Sequence, residues 1–250
     1  MVMDNSVTNT TEDFFTLLKT DINYLRIPSN GLSFARNECL TASTTPYILF
    51  IDDDCFVDDA LINSCLFALR VDPTAFYSGS INPVLPIHQH RCFDVQKLSV
   101  PIVNGTPQFL SGNFMMGAVD AFVQLGGFNL KFGKANTNLN YAEDTLMGRM
   151  ALTAGIELKA VTNTTIHHLE VGYSTKIWFM VISAKALANQ KMIKMGFGRP
   201  VSILRILVSE MMGIFTNLIG LFNINTRCRS WYRIINHIGT GWGVLKSAGS

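Results

Sequence analysis

Charge is scarce in this chain. Asp, Glu, Lys and Arg make up 15% of its 250 residues, against about 25% in an ordinary soluble domain, while hydrophobic residues reach 48%. An apolar surplus of that size has to meet a membrane or a partner. The net charge is only +2, and no basic stripe interleaved with aromatics crosses the first 170 residues, so nucleic acid is not expected as a partner. Cysteine is sparse as well. Cys39, Cys55, Cys65, Cys92 and Cys228 are an odd number without a CxxC pair, which argues against a disulfide framework or zinc ribbon and favours a reducing compartment. A glycine-rich, lysine-bearing phosphate loop is also missing, which disfavours a nucleotidyltransferase.

What is present is alternation. "MVMDNS" reads as a clipped strand ending in a turn, and "TEDFFTLLKT" as a helix with apolar residues at helical spacing. "GLSFARNECLTAS" is a second helix, followed by "PYILFID", a short apolar run of the kind buried on both faces of a sheet. "DDALINSCLFALR" predicts a helix with acidic residues in its first turn, and "AFYSGSINPVL" a strand ended by Pro83 and Pro86. Ile87 to Thr106 reads as irregular, with His88 and His90 in a loop; "AEDTLMGRMALTAG" is a helix and "ELKAVTNTTIHHL" a strand. This order predicts an α/β domain with a mostly parallel sheet flanked by helices. Beyond Tyr173 the segments are long, helical and rich in Met, Ile and Leu. The expected division is therefore an α/β domain over 1–172 and a helical region over 173–250, whose apolar surplus makes it the candidate for membrane association.

Three aspartates, Asp52, Asp53 and Asp54, end the apolar run. In open α/β sheets, ligands bind outside the carboxyl ends of the strands. Along an extended chain Asp52 and Asp54 point to the same side and Asp53 away. Two converging carboxylates repel unless a cation lies between them, and Mg²⁺ or Mn²⁺ suits oxygen ligands shared with substrate phosphates. The plain alternative is a solvated turn leading into the next helix.

At this point the residues carry a resemblance. "NGLSFARNECLTASTTPYILFIDDDCFVDD" resembles the A-R-N and D-x-D segments of family 2 glycosyltransferases, which have the GT-A fold. "SGNFMMGAVDAFVQLGGFNLKFG" resembles the acceptor-side stretch of that family, and "YAEDTLMGRMALTAGIELKAVTNTTIHH" its E-D motif, helix and late strand ending in histidine. The likeness runs from about Val2 to His168, with a flavour of bacterial exopolysaccharide and capsule enzymes. It implies a metal-dependent, inverting transferase, with hexose as the expected sugar, moving it from a nucleotide diphosphate sugar to a hydroxyl of a glycan or lipid-linked acceptor in cell-surface polysaccharide or glycolipid synthesis. Such chemistry needs a cation against the leaving diphosphate and a base for the acceptor proton.

The resemblance assigns Asp54, then Asp52, to the metal, with His167 as a further ligand, and Asp53 to the ribose or sugar. Asp144 matches the catalytic base, and Glu143 is expected to fix the acceptor or support that geometry. Asp4 matches the residue that contacts the nucleotide base, and Arg36 with Asn37 a turn near the nucleotide. Arg149 pairs with a carboxylate or the diphosphate, or makes a structural ion pair. Two departures stand out: an opening strand and helix of about thirty-odd residues are not seen ahead of "MVMDNS", and "GGFN" has Asn129 where the family usually has Asp. The competing reading is a catalytically inactive, membrane-associated GT-A module that binds a partner or glycan.

In the C-terminal third, Val201 to Ile224 is long enough to span a bilayer but contains Arg205, Glu210 and Asn217. Lys191, Lys194 and Arg199 precede it, and Arg227, Arg229, Arg233 and Lys246 follow, mixed with Trp231, Tyr232 and Trp242. Basic residues with Trp and Tyr suit a headgroup region. The expectation is peripheral or shallow attachment at the cytoplasmic face of the cell membrane, with a helical subdomain packed on the catalytic sheet as the alternative.

Overall fold

The computed structural model describes residues 1–6, 10–18, 22–28, 31–84, 102–103, 106–134, 141–169, 175–222 and 227–248. His88 and His90, read as loop residues, lie outside them. The chain opens with strand β1 (Val2–Asp4), helix α1 (Thr10–Leu18) and strand β2 (Tyr24–Arg26), and β1 and β2 are parallel. A parallel pair needs a crossover, which α1 supplies; Phe15 of α1 stacks on Tyr24 with ring centroids 5.3 Å apart. Helix α2 (Leu32–Ala42) leads to β3 (Tyr47–Phe50), the two-residue β4 (Cys55–Phe56), α3 (Leu61–Val71) and β5 (Phe76–Val84). Strands β6 (Ile102–Val103) and β7 (Thr106–Pro107) form a short antiparallel ribbon. Then come β8 (Met115–Ala118), α4 (Val119–Gln124), α5 (Glu143–Thr153) and β9 (Leu158–Leu169).

The main sheet has the order β3-β8-β5-β9-β4. Strands β5 and β9 are parallel, but β8 is antiparallel to both β3 and β5, and β4 is antiparallel to β9. The α/β architecture is as expected, whereas the sheet is mixed and not mostly parallel. The cause is β8, which the sequence pattern conceals. Phe114, Met115 and Met116 are all buried, so no polar alternation marks the strand, and Gly117 is a poor strand former.

Successive strand residues face two cores. Phe76 and Met115 join Phe50, Phe122 and Phe128 on one side of the sheet, while Tyr77 and Met116 join Leu61, Phe114 and Ile166 on the other. Each fully buried side chain of this size contributes about 1.5–3 kcal/mol, which offsets the shortness of β3 and β8. Helix α3 begins at Leu61, so Asp58 and Asp59 precede it and do not fill its first turn. Asp58 instead accepts hydrogen bonds from Thr164 Oγ1 at 2.8 Å and Thr165 N–H at 3.2 Å. Those two bonds lower its pKa and tie the start of α3 to β9.

Three long helices follow: α6 (Thr175–Lys194), α7 (Ile203–Leu218), extended by a 3-10 turn at Ile219–Phe222, and α8 (Arg227–Ala248). Ala188 and Met192 of α6 pack against Leu146 of α5 and Phe132, and α8 lies against both α6 and α7. The α6–α8 contact is close because of Gly243, where a Cβ would stand 2.2 Å from the Ser183 carbonyl oxygen. Between α7 and α8, Glu210 Oε2 and His237 Nδ1 are 2.6 Å apart. None of the described helices is long and apolar enough to cross a membrane.

The Gly243 contact has a measurable consequence. Gly243→Ala should force α8 away from α6 and cost about 1–3 kcal/mol in urea unfolding. Gly241→Ala, whose Cβ would meet only Leu207 Cδ2 at 3.7 Å, should be neutral or slightly stabilising. Equal midpoints for the two variants would refute the close approach.

Candidate active site

Strand β3 ends at Phe50 and the chain then turns, with Cys55 N–H donating to the Asp52 carbonyl at 3.3 Å. The alternation expected to send Asp52 and Asp54 to one side therefore does not apply; the turn brings them together. Burial pushes the Asp52 pKa up, Arg36 opposes this, and Asp54 and Asp144 add to the rise. The three carboxylates thus share one electrostatic neighbourhood. Asp53 is exposed on the same turn.

Arg36 on α2 is the cation they surround. Its Nη1 donates to Glu143 Oε1 at 2.6 Å and its Nη2 to Asp52 Oδ1 at 3.4 Å. The guanidinium carbon lies 5.5 Å from the Phe128 ring centroid and 6.0 Å from that of Phe50. Burial alone would lower its pKa, but Glu143, Asp52 and Asp144 outweigh burial and raise it. Glu143 is buried too, and burial with the neighbouring Asp144 lifts its pKa against the pull of Arg36. Both side chains are committed to each other. Arg36, expected beside the nucleotide, lines the groove between β1 and β3 while its guanidinium is paired with Glu143.

Asp144 occupies the first turn of α5, after Ala142 in the left-handed region at φ 75°. Its Oδ2 accepts from Gly112 N–H at 2.9 Å and its Oδ1 from Thr145 N–H at 2.6 Å. Gly112 cannot be replaced by a larger residue without displacing the site cation, since a Cβ there would stand 2.2 Å from Arg36 Nη2. Gly112 was not singled out in the sequence. The small-residue run "SGN" was the available signal, but nothing in it told which carboxylate or cation it would meet.

The histidine beside the carboxylates is His168. Its Nε2 is 3.2 Å from Asp54 Oδ1, and strand pairing sets it opposite Cys55. His167, the expected ligand, pairs with Phe56 and places Nδ1 3.2 Å from Asn82 Nδ2. Alternation along β9 turns it to the other face. Ligand atoms of Asp54, Cys55 and His168 lie within 4.8 Å of one another. The Cys55 thiol, pushed up to about 12 by burial and then by Asp52 and Asp54, stays protonated. A carboxylate and an imidazole at this distance fit a divalent cation that retains room for phosphate oxygens.

A groove of about 830 Å³ lies between β1 and β3, lined by Met3, Asp4, Arg36, Phe50, Asp52 and Asp53 among others. Its size is that of a small-molecule site. Asp4 accepts hydrogen bonds from the Tyr24 hydroxyl and from Ser6 N–H. Burial raises its pKa, and these bonds reverse the effect to leave it lowered.

Two expected site residues have structural partners instead. Asn37 donates to the Phe128 carbonyl at 2.9 Å and accepts from Phe128 N–H at 2.7 Å, so it clamps the turn after α4 and does not face the groove's ligand side. Arg149 donates to the Phe197 carbonyl at 2.6 Å and to Asn189 Oδ1 at 2.8 Å. Among the described residues it pairs with no carboxylate, because α5 turns it toward α6. Asn129 Oδ1 accepts from Lys131 N–H at 2.9 Å, a bond an amide oxygen makes as well as a carboxylate.

Comparison with known proteins bears on this geometry. The family model described as glycosyl transferase family 2 matches residues 1–86. The mannosyltransferase PcManGT from Pyrobaculum calidifontis, solved with GDP-Man and Mn2+, is similar at TM-score 0.58 and 14% identity, over 96% of this chain and 77% of that one. GalNAc-T7, solved with UDP, GalNAc and Mn2+, is similar at 0.52 and 11%, over 79% and 45%; this chain spans less than half of its length. S. aureus TarS 1–349 in complex with UDP-GlcNAc is similar at 0.50 and 11%, over 99% and 82%. No curated protein matches the chain. The likeness to these structures is one of fold.

The Arg36 arrangement generates a test. Arg36→Met strands a buried Glu143 and should cost about 3–5 kcal/mol in urea unfolding. Arg36→Met combined with Glu143→Leu should cost clearly less than the sum of the single changes, with a coupling of about 1–3 kcal/mol. Additive losses would show that the two charges do not depend on each other.

Proposed function

We propose, from the premise of a GT-A fold whose first 86 residues match glycosyl transferase family 2, that this chain transfers a hexose from a nucleoside diphosphate sugar to an acceptor hydroxyl with inversion. The observation that carries the reading is the convergence of Asp52, the Asp54–His168 pair and Asp144 beside the 830 Å³ groove. Proteins of the same fold solved with GDP-Man and Mn2+ or with UDP-GlcNAc support a nucleotide-sugar donor. The donor's nucleoside occupies the groove between β1 and β3, near Asp4 and Asp53. Its diphosphate points to Asp54 and His168.

Asp54 and His168 would hold a divalent cation, Mn²⁺ or Mg²⁺, which would supply positive charge against the leaving diphosphate. Asp144 takes the acceptor proton as the acceptor oxygen bonds to the anomeric carbon and the carbon–oxygen bond to the diphosphate breaks. The N–H groups of Gly112 and Thr145 aim its carboxylate for that transfer, while Arg36 holds Asp52 and Glu143 at fixed distance from it. The acceptor is a glycan or lipid-linked hydroxyl of bacterial cell-surface polysaccharide or glycolipid synthesis, met at the inner face of the cell membrane. Residues 1–172 carry the chemistry and 173–250 bring it to that surface.

Two measurements test the assignment. Asp54→Ala and His168→Ala should each abolish Mn²⁺-dependent binding of UDP or GDP in calorimetry, while His167→Ala should leave it within about twofold. A larger effect of His167→Ala than of His168→Ala would reverse the ligand choice. Asp144→Asn should bind donor normally and lose transfer by about 10²–10⁴-fold; near-normal transfer would remove Asp144 as the base.

A further inference from the structure

The charge that is scarce overall is also unevenly placed. Residues 175–250 hold ten of the twenty Lys and Arg but one of the eighteen Asp and Glu, a formal +9 against −7 for the preceding 174 residues. The single carboxylate there is Glu210, and it is drawn into the α7–α8 seam beside His237, with its side chain 20% exposed. No other side chain of this segment is a carboxylate.

Against that basic background α7 displays an apolar stripe. Leu204, Val208, Met211 and Phe215 recur at i, i+4, i+7 and i+11, one face of a helix, and are exposed at 70, 52, 69 and 67%. Helix α7 contributes no buried residue. Phe222, just beyond it, is 88% exposed. Along α8, Trp231, Ile238, Trp242 and Leu245 form a second exposed stripe at i, i+7, i+11 and i+14. Arg205 adjoins the first stripe in sequence, and Arg233 and Lys246 the second; all three are exposed.

We infer that the exposed faces of α7 and α8 form a docking surface for an anionic phospholipid bilayer, with the α7 stripe entering the acyl boundary and the tryptophans at headgroup level. The charge decides between occupants. A second copy of this segment would bring +9 against +9, whereas an anionic leaflet complements it. Tryptophan beside Arg and Lys suits the interface between headgroup and acyl chains, and helices too short or too polar to span can still lie in that plane. The 16 residues of α7 do so without burying Glu210 in lipid, because His237 already holds it on the side away from the stripe. This surface deepens the membrane-side placement of the acceptor in the proposed function and rests on that placement only for its purpose.

The test uses the full chain and vesicles of phosphatidylcholine with or without phosphatidylglycerol. Cosedimentation should be strong with the anionic vesicles and weak with the neutral ones. Met211→Ser with Phe215→Ser, two exposed positions whose change leaves the thermal midpoint in place, should weaken binding to anionic vesicles about tenfold or more. Unchanged binding by the double variant would overturn the surface. So would binding to neither vesicle, or self-association abolished by the same variant without vesicle binding, which would give the face to a second copy. Mn²⁺-dependent nucleotide binding measured in parallel reports the transferase reading separately: vesicle binding without nucleotide binding would uphold the surface and count against that reading alone.

Discussion

A buried guanidinium organises the candidate site. Arg36 leaves α2 between the rings of Phe50 and Phe128, pairs with Glu143 at the start of α5, reaches Asp52 at the end of β3 and closes against Gly112. Four segments distant in sequence are thereby held to one atom group. A buried ion pair contributes little net stability relative to apolar packing, but leaving either partner alone is costly. The geometry is therefore intolerant of partial change, which suits a site where carboxylates of like sign must be kept close without drifting apart.

The strands impose a second constraint. Between Gly79 and Ser80 the pairing of β5 with β9 shifts, and the partner moves from Val161 to Thr165. Asn163 lies in that irregularity at φ 64°, and Asp58 fastens its far side through Thr164 and Thr165. Such bulges re-aim the side chains that follow. Past this one, Ile166 enters the core and His168, two residues on, shares its face, so the histidine that meets Asp54 is settled by a kink well before it.

The sheet and the C-terminal helices are also mechanically joined. Arg149, five residues after Asp144, reaches out of α5 to Asn189 and the Phe197 carbonyl, while Met192 and Ala188 seat α6 on Leu146. Burial lowers the Arg149 pKa, and its partners are neutral oxygens, so it serves as a strut and not as a charge donor to the site. Through α6 and α8, the apolar stripe of α7 is carried on the same scaffold that holds α5 and Asp144.

Much of this was written in local pattern. The apolar run "YILF" followed by three aspartates, the helical spacing of "LSFARNECL", and the acidic start of "EDTLMGRM" each specify an element by periodicity and chemistry that neighbouring residues alone supply, and they mark Asp52, Asp54, Asp144 and Glu143, carboxylates that the fold then gathers around Arg36 and Asp52. What tertiary structure decided was pairing. Whether Arg36 meets a buried glutamate, whether Asn37 meets a turn, which of two adjacent histidines faces a carboxylate, and whether "FMMGA" enters the sheet all depend on contacts across 65 to 113 residues. No periodicity within a segment records what another segment will bring against it, and a strand buried on both faces by uniform apolar residues leaves no alternation to read.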